Sequence, residues 1–148
     1  MQNLIRILST ACFIGYMPLM PGTYASALGL FLTVLFGQMR FFYFLLTGIL
    51  LIAGFLVCGR AERLFNEKDS SKIVIDETAG IMLAYCLVPL NPLNLILGFI
   101  LFRAFDVLKP FPIKQIQRIP GSAGIMLDDM LAALYTAGVL FALRFFMV

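Results

Sequence analysis

Three clusters of ionisable residues interrupt an otherwise apolar sequence. In KIVIDETAGIMLAYCLVP, Asp76 and Glu77 stand side by side at the head of an apolar run. In FRAFDVLKPFP, Arg103, Asp106 and Lys109 recur every third residue, a spacing that puts neighbours on one helix face. In GSAGIMLDDMLAALYTAG, Asp128 and Asp129 repeat the adjacent pair at the head of the last apolar helix. Carboxylates gathered on one face repel unless a cation bridges them. Oxygen ligands without His or Cys suit Mg²⁺, which takes one or two carboxylates together with substrate phosphate oxygens. Lys109, with Arg103 nearby, can neutralise a phosphate. Thr23 in MPGTYAS opens a further helix, whose free N–H groups favour an anion, and Gly121 and Gly124 in PGSAG allow close backbone approach. These residue types point to a metal–phosphate site.

Each cluster alone also has an ordinary explanation. Asp and Thr are good N-caps, and acidic residues favour helix N-termini. Lys109 near a helix C-terminus is equally conventional, and Arg103 can simply pair with Asp106. The combination is harder to explain by capping, which needs one carboxylate per helix, whereas two helices here begin with two. Ionisable groups at membrane depth are costly and mark function by default.

Absences narrow the chemistry. The chain has no His, which excludes phosphohistidine intermediates and His-based lipid phosphatases. No Cys is followed by Arg six positions later, and neither DxDx[TV] nor GxxxxGK[ST] occurs. Attack by water with metal assistance and a carboxylate as general base is what remains.

These groups must be positioned by apolar elements. The 148 residues are 61% hydrophobic and 13% charged, against about 45–50% and about 25% in soluble domains. We therefore expect an all-α, polytopic membrane helical bundle forming a single domain over residues 1–148. The net charge of +3 and the lack of a basic run give no sign of nucleic acid. Cys12, Cys58 and Cys86 lie in apolar stretches without metal-ligand spacing and read as packing residues. The apolar run before Cys12 is too short for a signal-peptide core and is read as part of the mature protein.

Apolar blocks cover Thr23 to Gly37, Phe41 to Gly59, Thr78 to Phe102 and Met130 to Leu143, and Pro21-Gly22 reads as a turn. Phe41 to Gly59 fits a spanning helix. The third block contains LVPLNPLN, and Pro89 and Pro92 each remove a backbone donor and disfavour helix just before them. A break there gives two helices, about Asp76–Val88 and Pro92–Leu108, forming a re-entrant hairpin; a single long tilted span is the other option. Charge favours the hairpin. With it, Arg40 and Arg144 alone of the 11 basic residues face one side, and all eight acidic residues face the other. The positive-inside rule then puts the charged side in the cytoplasm.

PGTYAS, IVIDETAG and FRAFDVLKPFPI followed by GSAGIMLDDMLAA together resemble the phosphatidylglycerophosphatase A family. The FDxxKPxPI run followed by GIMxDD is specific in order and spacing; PGT alone is weak. The resemblance spans about Pro21 to Ala133. It implies a Mg²⁺-dependent enzyme of the bacterial inner membrane that converts phosphatidylglycerophosphate, in membrane lipid, to phosphatidylglycerol. Its motifs fall on Thr23, Asp76, Glu77, Arg103, Asp106, Lys109, Asp128 and Asp129. We expect Asp76, Glu77, Asp106 and Asp129 to share metal ligation and water activation. Thr23, Arg103 and Lys109 are expected to hold phosphate, with Asp128 a further ligand or the cap of its pair. Ala25 and Ser122 depart from the pattern at small-residue positions near the motifs.

Rival readings fit less well. An ion- or proton-coupled transporter would suit the Pro-broken segment, but the carboxylates lie at segment ends and no repeat is present. A CDP-alcohol phosphotransferase would need DGxxAR, which is absent. A small structural subunit would not need a clustered acidic face.

Overall fold

The structure is a computed structural model and describes residues 2–146. Among the described residues the chain forms seven α-helices and one 3-10 turn, in the order α1 (Gln2–Ser9), the 3-10 turn (Ile14–Tyr16), α2 (Pro21–Phe36), α3 (Arg40–Phe65), α4 (Ile75–Cys86), α5 (Pro92–Leu108), α6 (Ile113–Ile116) and α7 (Ser122–Phe146). Two helices, α3 and α7, are long and apolar enough to cross a membrane. Only 28% of the α3 stretch is buried within the protein, so most of its apolar surface faces outward, as lipid contact requires.

The central element is α4. Nine of its 12 residues are buried, a helix hidden on nearly every side. Small residues bring α2 against it. Gly22, Ala25, Ser26, Gly29 and Thr33 form the buried face of α2, the small-residue spacing that lets helix backbones approach in membranes. A Cβ on Gly29 would meet the Ile81 side chain at 2.4 Å and the Thr78 carbonyl at 2.7 Å. The Thr78 hydroxyl donates to the Ala25 carbonyl at 3.1 Å. On α3, the Tyr43 hydroxyl donates to the Met82 carbonyl at 2.7 Å and lies 2.9 Å from the Thr33 hydroxyl. That contact ties α2, α3 and α4 together deep in the bundle.

The α4–α5 hairpin is formed. The helix stops at Cys86, and Asn91 caps α5 by accepting from the Asn94 N–H at 2.8 Å, with Pro92 at the first helical position. The Tyr85 hydroxyl donates across the hairpin to the Leu95 carbonyl. The expected second arm is matched residue for residue; the first ends two residues early, ahead of Pro89.

Three further boundaries and one cysteine differ from expectation. Pro21-Gly22 is the first turn of α2 rather than a loop, because proline needs no N–H at that position. The α3 helix continues past Gly59 through the charged RAERLF segment to Phe65. The last helix begins at Ser122, six residues before Asp128, so Asp128 and Asp129 lie about two turns inside it. Cys12 is exposed, while Cys58 is buried and Cys86 half-buried, so packing accounts for two of the three cysteines.

Candidate active site

The starts of α2, α4 and α7 and the end of α5 meet at one end of the bundle, which the hairpin makes possible. One oxygen each from Asp76, Glu77 and Asp129 lie within 4.8 Å of one another. Asp76 and Asp129 are buried and Glu77 is nearly so. None of these carboxylates caps a helix: α4 has Val74 at its N-cap with no side-chain bond, and Asp129 lies well inside α7. Asp76 Oδ1 and Glu77 Oε2 are buried with no hydrogen-bond partner. Such orphaned acceptors are costly unless something is bound to them.

Cations flank the triad. Arg103 Nη1 donates to Asp106 Oδ2 at 2.5 Å and lies 3.5 Å from the Ser26 hydroxyl, which itself donates to the Gly22 carbonyl. Lys109 Nζ sits 2.5 Å from Asp128 Oδ2 and 3.9 Å from Asp106 Oδ1. Asp106 thus stands between two cations. Asp128 is held by Lys109 and accepts the Asp129 N–H at 3.0 Å. Both face cations rather than joining the three-oxygen cluster. Thr23 Oγ1 and Arg103 Nε are buried and unpartnered. Thr23 is the third residue of α2 rather than its cap, which is Met20.

Burial, then the charges on Glu77 and Asp129, hold Asp76 well above the ordinary carboxylate range. Burial also raises Glu77 to about 7, against the lowering effects of its Asp76 hydrogen bond and of Arg103. Burial disfavours the Lys109 ammonium, but its hydrogen bond and charge pairing with Asp128 more than offset this and raise it. Acidic groups that resist ionisation because they are buried together are stabilised as anions by a bound cation. The donor set is hard oxygen, it is preassembled, and two of its atoms lack partners, so these residues fit a divalent ion such as Mg²⁺.

Two glycines shape the site in ways the residue pattern does not show. A Cβ on Gly22 would fall 2.3 Å from Glu77 Oε1 and 3.3 Å from Arg103 Nη1. A Cβ on Gly80 would fall 2.9 Å from the Phe102 ring and 3.1 Å from Asp129 Cβ. Ser26 was also missed. The one available signal was that Gly22 directly follows a proline able to start a helix, which places it inside the first turn. Ser122, a departure from the family pattern, accepts the Gly59 N–H at 2.7 Å and ties α3 to the start of α7.

The sequence model of the phosphatidylglycerophosphatase A family matches residues 7–144. A protein of Haemophilus influenzae named phosphatidylglycerophosphatase A is 34% identical, over 99% of this chain and 92% of its own length. One of Escherichia coli with the same name is 30% identical, over 95% and 84%. A protein of Bacteroides thetaiotaomicron with the provisional name phosphatidylinositol-3-phosphatase is 31% identical, over 82% of each chain. No solved structure gives a significant match.

Proposed function

The chain belongs to the phosphatidylglycerophosphatase A family, and from that premise we propose that it removes the terminal phosphate of phosphatidylglycerophosphate to give phosphatidylglycerol. We place the reaction at the cytoplasmic face of the bacterial inner membrane and take Mg²⁺ as the cofactor. The observation that carries this reading is the meeting of Asp76, Glu77 and Asp129 within 4.8 Å, beside Arg103 and Lys109.

Asp76, Glu77 and Asp129 would hold the ion. When bound, it supplies Lewis-acid stabilisation of the charge on the phosphoryl oxygens and the attacking water. Arg103 and Lys109 exchange part of their pairing with Asp106 and Asp128 for the phosphate oxygens, so the incoming dianion meets preassembled positive charge. The unpartnered Thr23 hydroxyl donates to the same group. Release of Asp106 from one cation frees a carboxylate to accept the proton of the attacking water. A P–O bond forms from that water, the P–O bond to the glycerol oxygen breaks, and the glycerol oxygen leaves with the proton that Asp106 has taken. The apolar flanks of the bundle keep the diacyl part of the substrate in lipid. The excess of basic residues at the carboxylate end supports the cytoplasmic assignment.

The test is phosphate release by purified protein in detergent, with Mg²⁺ or EDTA, from phosphatidylglycerophosphate and from phosphatidylinositol-3-phosphate. Asp76→Asn and Asp129→Asn should each lower release by about 10³-fold while leaving the protein folded. No release from folded protein across several lipid phosphates would sink the enzyme reading, and ion flux in liposomes would then test the transporter.

A further inference from the structure

We propose that residues 13–20 form a lip that inserts into the lipid headgroup–acyl boundary at the mouth of the carboxylate site. The segment displays Phe13, Tyr16, Met17, Leu19 and Met20 outward, with Leu19 93% exposed. Its backbone is strained to do so. Ala11, Cys12, Phe13 and Leu19 all have positive φ, at 45°, 56°, 73° and 74°, a region that non-glycine residues rarely adopt.

The strain is held in place. Thr10 Oγ1 accepts the Phe13 N–H at 3.0 Å, and the Gly15 N–H reaches the Thr10 carbonyl at 3.0 Å. Gly15 lies so close to the Lys72 carbonyl that a Cβ would sit 2.0 Å from it. A loop fixed this firmly to present large apolar side chains needs an apolar surface to receive them.

Depth and charge identify that surface as lipid. The apolar run of α3 ends at Gly59, and Phe65 lies six residues on, about 9 Å along the helix and so near headgroup level. Tyr16 packs edge-on against Phe65 with ring centroids 6.4 Å apart, and Lys72 Nζ lies 5.5–5.9 Å from both rings. Tyrosine belongs at this level, and Arg6 and Lys72 complement anionic headgroups. The lip also ends where the site begins. The Met20 carbonyl accepts the Thr23 N–H at 3.0 Å, and a Cβ on Gly22 would fall 2.3 Å from Glu77 Oε1 and 3.3 Å from Arg103 Nη1. Resting on the phosphatase reading, the lip would guide the acyl part of the substrate past Met20 while its phosphate reaches Thr23.

The chain has no Trp, so a single introduced indole reports its own depth. Leu19→Trp, Met17→Trp and, in the polar loop, Lys68→Trp are reconstituted in phosphatidylcholine–phosphatidylglycerol vesicles, with or without bromine high on the acyl chains. Bromine should quench the first two variants about twofold more than Lys68→Trp. Equal quenching at all three positions overturns the lip. So does blue-shifted, unquenched emission at positions 17 and 19, which would signal a second protein copy. The quenching needs no activity, so it stands or falls apart from the phosphatase reading. Leu19→Ser should raise KM about fivefold for bilayer substrate and leave it unchanged for a short-chain soluble one. An equal effect on both overturns the guiding role.

Discussion

Asp76 and Glu77 are sequence neighbours with different surroundings. Asp76 faces inward and feels Glu77 and Asp129; Glu77 feels Asp106 and Arg103 as well and lies against the backbone of Gly22. Such a site is assembled against its own electrostatics, so stability and function oppose each other here. In EDTA, Asp76→Asn should melt no lower than the parent, because one buried like charge is gone. Added Mg²⁺ at about 100 times its Kd should stabilise the parent by about 2.7 kcal/mol and leave Asp76→Asn nearly unchanged. Thermal melts with and without Mg²⁺ check this, and equal stabilisation of both proteins would remove Asp76 from the ion's ligands. Gly22→Ala tests positioning without touching charge. Its methyl would press on Glu77 Oε1, and phosphate release should fall about 10- to 100-fold as the carboxylate is displaced. Unchanged release would show that the triad tolerates the shift.

At the scale of elements, the hairpin was the most legible feature. Pro89 and Pro92 disfavour helix at the residue before each, and Asn91 then supplies the cap. Asn91→Ala should cost about 1 kcal/mol in denaturant unfolding, and no loss would mean that Pro92 alone sets the start of α5. The beginning of α7 was not legible. Glycines in PGSAG usually mark a loop, but Gly124 is there because its Cα abuts the Ile119 carbonyl, where a Cβ would sit 2.0 Å away. The end of α3 was obscured in the opposite way. The apolar signal stops at Gly59, but the backbone continues as helix beyond it to Phe65. The carboxylates were legible by type and spacing. The Asp106–Arg103 pair was legible too, at i, i+3 on one helix. The Asp128–Lys109 pair and the three-acid cluster were not, because the rotation of α4, α5 and α7 about their axes decides which acid meets a cation and which meets another acid.

At the scale of the whole molecule, the return of the chain at residues 87–91 decides the topology. It brings the end of α5 back to the start of α4, and so Arg103 close enough for its charge to act on Glu77. Single cysteines at Asp69 and Lys114, in a background cleared of the native cysteines, should therefore be labelled by an impermeant maleimide from the same side of sealed vesicles. Labelling from opposite sides would break the hairpin and the shared site together.

The order of the chain adds a consequence of that convergence. Asp76 and Glu77 leave the ribosome more than fifty residues before Asp129. The 12-residue α4, about 18 Å long, is too short to be threaded across a bilayer by itself. It packs beside α2 and α3, and α7 packs against it as well. A nascent chain lacking its final helix therefore carries two of the three clustered acids and lacks the third. The three-acid cluster assembles only once α7 has joined the bundle.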